Sequence, residues 1–228
     1  MLTLHVIKPS VNNMTVRVFL RAADLPFTEV DAYGKTRTAE FLAKAPAHLT
    51  PMLESSELPK AALWESCAIM QYLCNRHGLT QFYPTDPAKR AMIDSAMFYM
   101  TGTLYPLLAR ATYPALGFPL YPGEVGASDA GDADKTTARK AAEQGLAEPL
   151  EVLKTFFIDG QNFIGGAKPS IADIRFTCSL EFLAAIDYAL PAWAKSYATN
   201  VEKALGKAFA EPVADVRGYI AYVKSQRK

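Results

Sequence analysis

The chain is poor in the residues that most often carry chemistry. It has three cysteines, Cys67, Cys74 and Cys178, with no Cys-x-x-Cys pair among them. On one helix Cys67 and Cys74 stand two turns apart, too far for a bridge. No disulfide framework is expected, and a reduced, cytoplasmic setting fits, with the three thiols as core fillers. Three histidines and no acidic cluster at ligand spacing lead to the expectation of no metal. Charge of one sign is also missing. With 24 basic and 23 acidic residues the net charge is +1, so no basic face for nucleic acid is expected. No apolar run approaches the roughly 20 residues that span a bilayer, so no membrane partner is expected either. The opening Met1-Leu2-Thr3-Leu4-His5 runs directly into a strand pattern and lacks the charged region and cleavage site of a signal peptide.

What is present is apolar material, half of the 228 residues, enough for one large core or two small ones. Leu2 to Ile7 reads as a strand, Asn12 to Ala23 as a helix with Met14, Val18 and Ala22 on one face, and Phe27 to Asp31 as a second strand. A loop and short helix containing Phe41 and Leu42 follow. Two strands and a helix complete a βαβαββα order, with a parallel crossover first and an antiparallel hairpin last. This is the order of a thioredoxin-like domain, here 1–80. The prolines and aspartate of Phe82-Tyr83-Pro84-Thr85-Asp86-Pro87 mark a linker at 81–87. From 88 to 228 the pattern is helical, giving an all-α second domain. Ala88 to Tyr113 is apolar nearly all round and is expected to be buried on several sides, with Pro106 kinking it or starting a new segment. Pro114 to Gly131 reads as a loop, and Asp132 to Phe157 as a helix facing inward through Leu146, Leu150, Leu153 and Phe157. Ser170-Ile171-Ala172-Asp173 is a capping-box variant opening a buried helix, with Pro169 and Ile174 placed as a staple. Helices over about Ala192 to Leu205 and Pro212 to Lys224 close the chain.

Two places carry chemistry. The first is His48-Leu49-Thr50-Pro51, then Glu65-Ser66 opening a helix. Ser66 reads as its N-cap. A helix start offers free N–H groups and the positive end of the dipole, which hold a carboxylate, and the adjacent Glu65 holds an ammonium group. Together they suit an amino-acid head group. A cis Thr50-Pro51 bond would turn the Thr50 backbone outward to pair with a peptide ligand. Taken singly, a Ser N-cap beside an acid is only a helix start, and Thr-Pro only a trans turn. The second place is the helix entry after the first strand, with Ser10, Asn12 and Asn13.

Thr50-Pro51 followed by a hairpin and Glu65-Ser66-x-Ala68-Ile69-x-x-Tyr72-Leu73 resembles the glutathione-binding segment of the glutathione transferase family. The linker, Gly102-Thr103-Leu104-Tyr105, Tyr113-Pro114 and the Ser170/Asp173 box extend the likeness along nearly the whole chain, nearest to the serine-type delta and theta classes. The resemblance implies a cytoplasmic homodimer that uses glutathione as cosubstrate and delivers its thiolate to a small hydrophobic electrophile. It places Ser10 on the residue that donates a hydrogen bond to the sulfur. A free thiol with a pKa of about 8.5 is only a few per cent thiolate at neutral pH, and a donor aimed at the sulfur lowers that pKa. Ser10 as a mere helix cap is the alternative. The family's Pro-Cys-Arg after the serine is replaced by Asn12-Asn13-Met14, so Asn12 or Asn13 is an alternate donor. By position, Glu65 and Ser66 take the γ-glutamyl end, Thr50 before Pro51 pairs with the cysteinyl backbone, and His48 meets the glycine carboxylate. Lys35 or Arg37 stands in for a second histidine, and Cys67 replaces an arginine. Tyr105, Leu108, Tyr113 and Phe118 are the expected electrophile wall between the domains. Rival readings are a glutathione-dependent dehalogenase, isomerase, ether-cleaving or disulfide-reducing enzyme on this fold, and a binding module without chemistry.

Overall fold

The structure is a computed structural model and describes residues 1–118 and 131–227. The first part contains β1 (Leu2–Val6), α1 (Val11–Ala22), β2 (Phe27–Asp31), α2 (Ala39–Lys44), β3 (Met52–Glu54), β4 (Ala62–Trp64) and α3 (Ser66–His77). The expected βαβαββα order is therefore observed. The sheet order is β2-β1-β3-β4, with β1 and β2 parallel and the rest antiparallel. Strand alternation gives the sheet two apolar faces. Leu4, Val6 and Leu53 turn into the large core shared with α1 and α3. Met52 turns the other way, under Phe41 and Ala45 from α2.

The register decides where the strand ends lie. His5 pairs with Met52, and Met52 pairs with Trp64. The loop after β1, the residue before β3 and the residue after β4 therefore leave the sheet at one end. Val6 pairs with Asp31, so the loop after β2 leaves from that end too. The hairpin tip, 55–61, is at the opposite end, tied to α3 by a two-pronged Arg76–Glu57 pair at 2.6 and 2.7 Å.

The stretch 81–87 is tied down on both sides. Phe82 packs edge-on against Phe19 of α1. The Tyr83 hydroxyl donates to Asp94 at 2.7 Å, and Gln71 of α3 donates to the same carboxylate at 2.6 Å. The Phe82 carbonyl accepts from the Ile171 N–H at 3.1 Å.

Beyond it lie α4 (Pro87–Tyr99), a π-helical turn (Met100–Leu104) and α5 (Tyr105–Leu116). These are followed by α6 (Asp132–Gly145), α7 (Ala147–Val152) and a second π segment (Leu153–Ile158). The chain ends with α8 (Ile171–Leu180), a 3-10 turn (Glu181–Ile186), α9 (Ala192–Leu205) and α10 (Lys207–Gln226). Pro106 stands in the first turn of a new segment, one of the two outcomes expected of it, and the π turn lies just before that segment. Several other expectations are corrected here. Within the stretch from Ala88, α4 buries one face only, through Ile93, Ala96 and Met97, while Phe98 is 70% exposed and Met92 42% exposed. Pro114 lies inside α5, which runs two residues past it and ends at Gly117 in the left-handed conformation. The rest of the expected loop, 119–130, is outside the described residues. The last helix starts five residues before Pro212, which sits inside it. Among the described residues no helix is long and apolar enough to cross a membrane.

The Ser170–Asp173 box forms as expected. Asp173 accepts from the Ile164, Gly165 and Ser170 N–H groups at 2.8, 3.0 and 2.7 Å, from the Ser170 hydroxyl at 2.6 Å, and from the Tyr197 hydroxyl. Burial pushes this carboxyl up, and the hydrogen bonds pull the other way. Pro169 and Ile174 are both buried.

Candidate functional site

Ser10 sits in the bend between β1 and α1. Its N–H bonds Ile7 at 2.9 Å and its carbonyl accepts from Met14 at 2.8 Å, so it is the N-cap of α1 by backbone. Its side chain makes no capping hydrogen bond. The hydroxyl is half-buried and uncommitted among the described residues, next to the free N–H groups of the first turn.

The two neighbouring asparagines are committed. Asn13 is fully buried, and its Nδ2 donates to Thr50 Oγ1 at 3.0 Å, tying α1 to the loop before β3. Asn12 Nδ2 donates to the Tyr105 hydroxyl at 2.8 Å, and its Oδ1 accepts from Arg175. Both side-chain ends of Asn12 are thus used across the interface with α5 and α8.

The Thr50–Pro51 peptide bond is cis. Among the described residues neither the N–H nor the C=O of Thr50 enters a hydrogen bond, which leaves the main chain able to pair with an extended ligand. Fourteen residues on, the chain leaves β4 and enters α3. The sequence reading of Ser66 as N-cap is corrected: Glu65 holds that place, and Ser66 is the first helical residue. Glu65 has φ +75° and ψ 113°, a conformation costly for a residue with a side chain. Its carboxylate is exposed and does not cap the helix. The first backbone bond is Ile69 N–H to Glu65 at 2.9 Å, so the N–H groups of Ser66, Cys67 and Ala68 are left open among the described residues. A carboxylate beside open, positively polarised N–H groups can hold both ends of an α-amino acid.

Ser10, Thr50 and Glu65–Ser66 leave the same end of the sheet, as the register requires. Lys35 and Arg37 are exposed on the loop after β2, at that end also, and His48 is half-buried two residues before Thr50. Lys35 also borders a cleft of about 300 Å³ under α2, lined by His5, Thr38, Phe41, Lys44 and Met52 among others. His5 bonds Glu54 at 2.7 Å. Burial raises the Glu54 carboxyl, but the Lys44 and His5 contacts outweigh that and hold it below its usual range.

On the helical side Tyr105 and Tyr113 touch through their hydroxyls at 2.9 Å. Phe118 packs edge-on against Tyr113 and against Phe182, and stacks on Tyr219. Three of the four residues expected to form an apolar wall therefore cluster. Leu108 is fully buried and presents no surface. Of the cysteines, Cys74 and Cys178 are core residues. Burial pushes the Cys74 thiol up to about 12 and the Cys178 thiol higher still. Cys67 is half-buried in the first turn of α3, 3.8 Å from the Thr101 hydroxyl. The residue that sequence reasoning missed is Arg175. The one signal was a cation set among the apolar residues of Ile171-Ala172-Asp173-Ile174-Arg175-Phe176.

The family model "Glutathione S-transferase, N-terminal domain" matches residues 4–81. Glutathione S-transferase T3 of Arabidopsis thaliana is 31% identical over 184 residues, 75% of this chain. The chain spans only 28% of the length of that relative and of the similar T2 protein. A delta-class glutathione transferase from Nilaparvata lugens superposes with a TM-score of 0.76 at 26% identity, covering 98% of this chain and all of that one. Human glutathione transferase theta-2, solved with glutathione and an unknown ligand, superposes at 0.80 over 100% of this chain and 92% of that one. At 18% identity that second likeness is one of fold.

Proposed function

We propose, from the premise that this chain belongs to the glutathione transferase family, that it binds glutathione and activates its thiol for attack on a small hydrophobic electrophile. The observation that carries the reading is one shared sheet end. It brings together an uncommitted hydroxyl at Ser10, an unpaired main chain at Thr50, and an open helix start at Glu65–Ser66. Glutathione lies extended across that end. Its γ-glutamyl ammonium meets Glu65, and its carboxylate meets the N–H groups of Ser66 and its successors. Its cysteinyl backbone pairs with Thr50 before Pro51, and its glycine carboxylate is met by His48 with Lys35 or Arg37. Residues 1–80 hold the cosubstrate, 81–87 link, and 88–228 present the electrophile to Tyr105, Tyr113 and Phe118.

Ser10 donates its hydroxyl hydrogen bond to the sulfur. The thiol proton leaves to solvent, the thiolate attacks carbon, and the C–S bond forms as the leaving group departs with its electron pair. The Asn12 and Asn13 amide nitrogens each already donate once, to Tyr105 and Thr50, whereas the Ser10 side chain makes no capping hydrogen bond, so Ser10 is favoured over both as the donor. The protein works as a homodimer in a reducing, cytoplasmic compartment and needs no metal for this chemistry.

The test is a calorimetric titration with glutathione, followed by turnover with a panel of halide, epoxide, ether and disulfide electrophiles. Binding, with Ser10→Ala losing the thiolate absorbance of bound glutathione, is the expected result. Absence of binding at millimolar ligand would leave a scaffold without chemistry. Turnover confined to halides, ethers or disulfides would narrow the reading to one of the neighbouring glutathione-dependent reactions.

A further inference from the structure

Two arginines are almost fully buried where the sheet-bearing part meets the helices, and they are treated differently. Arg17 of α1 is 4% exposed and has two carboxylates, Glu29 and Asp215, each at 2.8 Å. Arg175 of α8 is 3% exposed and makes no ion pair among the described residues. Its contacts are neutral. One terminal nitrogen donates to Asn12 Oδ1, the guanidinium lies 4.7 Å from the Tyr105 ring centroid, and its Nε has no partner. A buried cation without a counter-ion is costly unless one arrives from elsewhere.

We propose that Arg175 is a positioning residue for thiol activation, and that its missing counter-charge is the thiolate glutathione carries at Ser10. The inference rests on the reading above, which puts the sulfur at the start of α1. Asn12 is two residues from Ser10 in the first turn of that helix. With its oxygen held by Arg175 and its nitrogen by Tyr105, the turn bearing Ser10 is fixed against α5 and α8. The guanidinium charge also acts directly. In a desolvated interface an opposite charge nearby favours the ionised form of a group. A planar guanidinium can cover the Tyr105 ring and bond Asn12 at once, which an ammonium cannot.

Of the other ionisable groups on the elements packed around α8, Lys89, Lys195, Lys203 and His77 are exposed with no ion pair among the described residues, Arg90 donates to the Pro84 carbonyl at 2.8 Å, and the rest are neutral or held by a partner. Cys74 and Cys178 have thiols raised by burial, as does the Tyr197 phenol. Glu181 is held by Arg217 at 2.8 Å, Asp94 by Tyr83 and Gln71, Asp173 by its box, and Arg21 by Glu211 at 3.1 Å. Tyr105 and Tyr113 share a hydrogen bond. Arg175 is the buried cation on these elements that has no carboxylate partner among the described residues.

The experiment titrates the thiolate absorbance of bound glutathione against pH in the wild-type chain, Arg175→Met and Arg175→Lys. S-methylglutathione, which has no thiol to ionise, reports binding separately. Arg175→Met is expected to raise the bound thiol's pKa by about one unit, a tenfold loss of thiolate below it, with S-methylglutathione affinity kept. Arg175→Lys falls between. A folded Arg175→Met with the wild-type thiol pKa overturns the inference and leaves Arg175 a structural residue. Should Arg175→Met fail to fold, Asn12→Asp decides. It places a carboxylate beside Arg175, cancels the free charge and raises the thiol pKa, and an unchanged value overturns the inference. A wild-type chain that does not bind S-methylglutathione overturns the functional reading itself. That failure appears in the wild-type arm, whereas failure of the Arg175 inference appears only as a missing difference between wild type and variants.

Discussion

Two helix starts in this molecule have opposite designs. At α8 the first-turn groups are answered from within. Ile171 donates to the Phe82 carbonyl, Ala172 to the Ser170 hydroxyl, and Asp173 collects five donors. At α3 nothing of the kind occurs. Its N-cap residue is held at positive φ with an exposed carboxylate, and three first-turn N–H groups are left open among the described residues. The α1 start resembles α3 in that the Ser10 hydroxyl caps nothing. A helix start that satisfies itself supports the fold, and one that does not is available to a ligand. The sequences at the two places, Pro169-Ser170 and Trp64-Glu65-Ser66, both put a serine beside a helix entry, so residue type alone does not separate them.

Substitutions at the two starts should therefore fail in different ways. The largest effect is expected at Asp173. Asp173→Ala strands the buried N–H groups of Ile164 and Ser170, the part-buried N–H of Gly165 and two hydroxyls, and should lower unfolding free energy by about 3–5 kcal/mol, read by urea denaturation. Ser170→Ala should cost about 1–2 kcal/mol. Neither should change glutathione affinity of the folded fraction, and a parallel loss of affinity would break the comparison. Next comes Ser10→Ala, with kcat expected to fall about 100-fold, as for loss of a single donor to a developing anion, and thermal stability nearly unchanged. Equal turnover would return Ser10 to the cap role. Glu65→Gly sharpens the contrast further. Removing the side chain from a positive-φ position should leave stability equal or raise it by up to about 1 kcal/mol. Calorimetry should show glutathione binding weaker by about tenfold or more, as for loss of one ammonium contact.

The smallest effect lies away from both starts, at His5–Glu54–Lys44. A carboxyl held below its unfolded value contributes stability that is present above the unfolded pKa, about 4.3 for Glu, and is lost as pH falls through the folded value. Glu54→Gln should flatten the acid limb of the stability curve by about 0.5 kcal/mol or less, the scale of a partly exposed pair. A larger change would mean the α2 side contributes more than its geometry suggests.

The sequence foretold what depends on neighbours. Strand alternation, Pro and Gly punctuation and the Ser170–Asp173 spacing gave the element order and the α8 box. Thr50-Pro51 and Glu65-Ser66 pointed to the open end of the sheet. Long-range geometry was less legible. Arg175 and Asn12 are 163 positions apart, and nothing in either segment shows that they meet. The π turn before Pro106 and the exposure of Phe98 depend on how α4 packs, because apolar spacing counts residues and does not say which face finds a partner. The sequence pattern places a helix start at Pro212, but α10 continues through it, with Phe209, Val213 and Val216 buried on either side. Packing there outweighs the hydrogen bond that the proline cannot make.

The anchored stretch at Phe82 and Tyr83 bears on how this chain can be handled. Cutting after residue 80 would take Phe19 and Gln71 away from their partners on one fragment, and leave the other with Phe82 exposed and Asp94 short of a donor. The two halves should behave as complementary fragments, each sticky alone and soluble when mixed. A tag or reporter inserted between them would act as a wedge, so fusions belong at the chain ends or in the 55–61 tip.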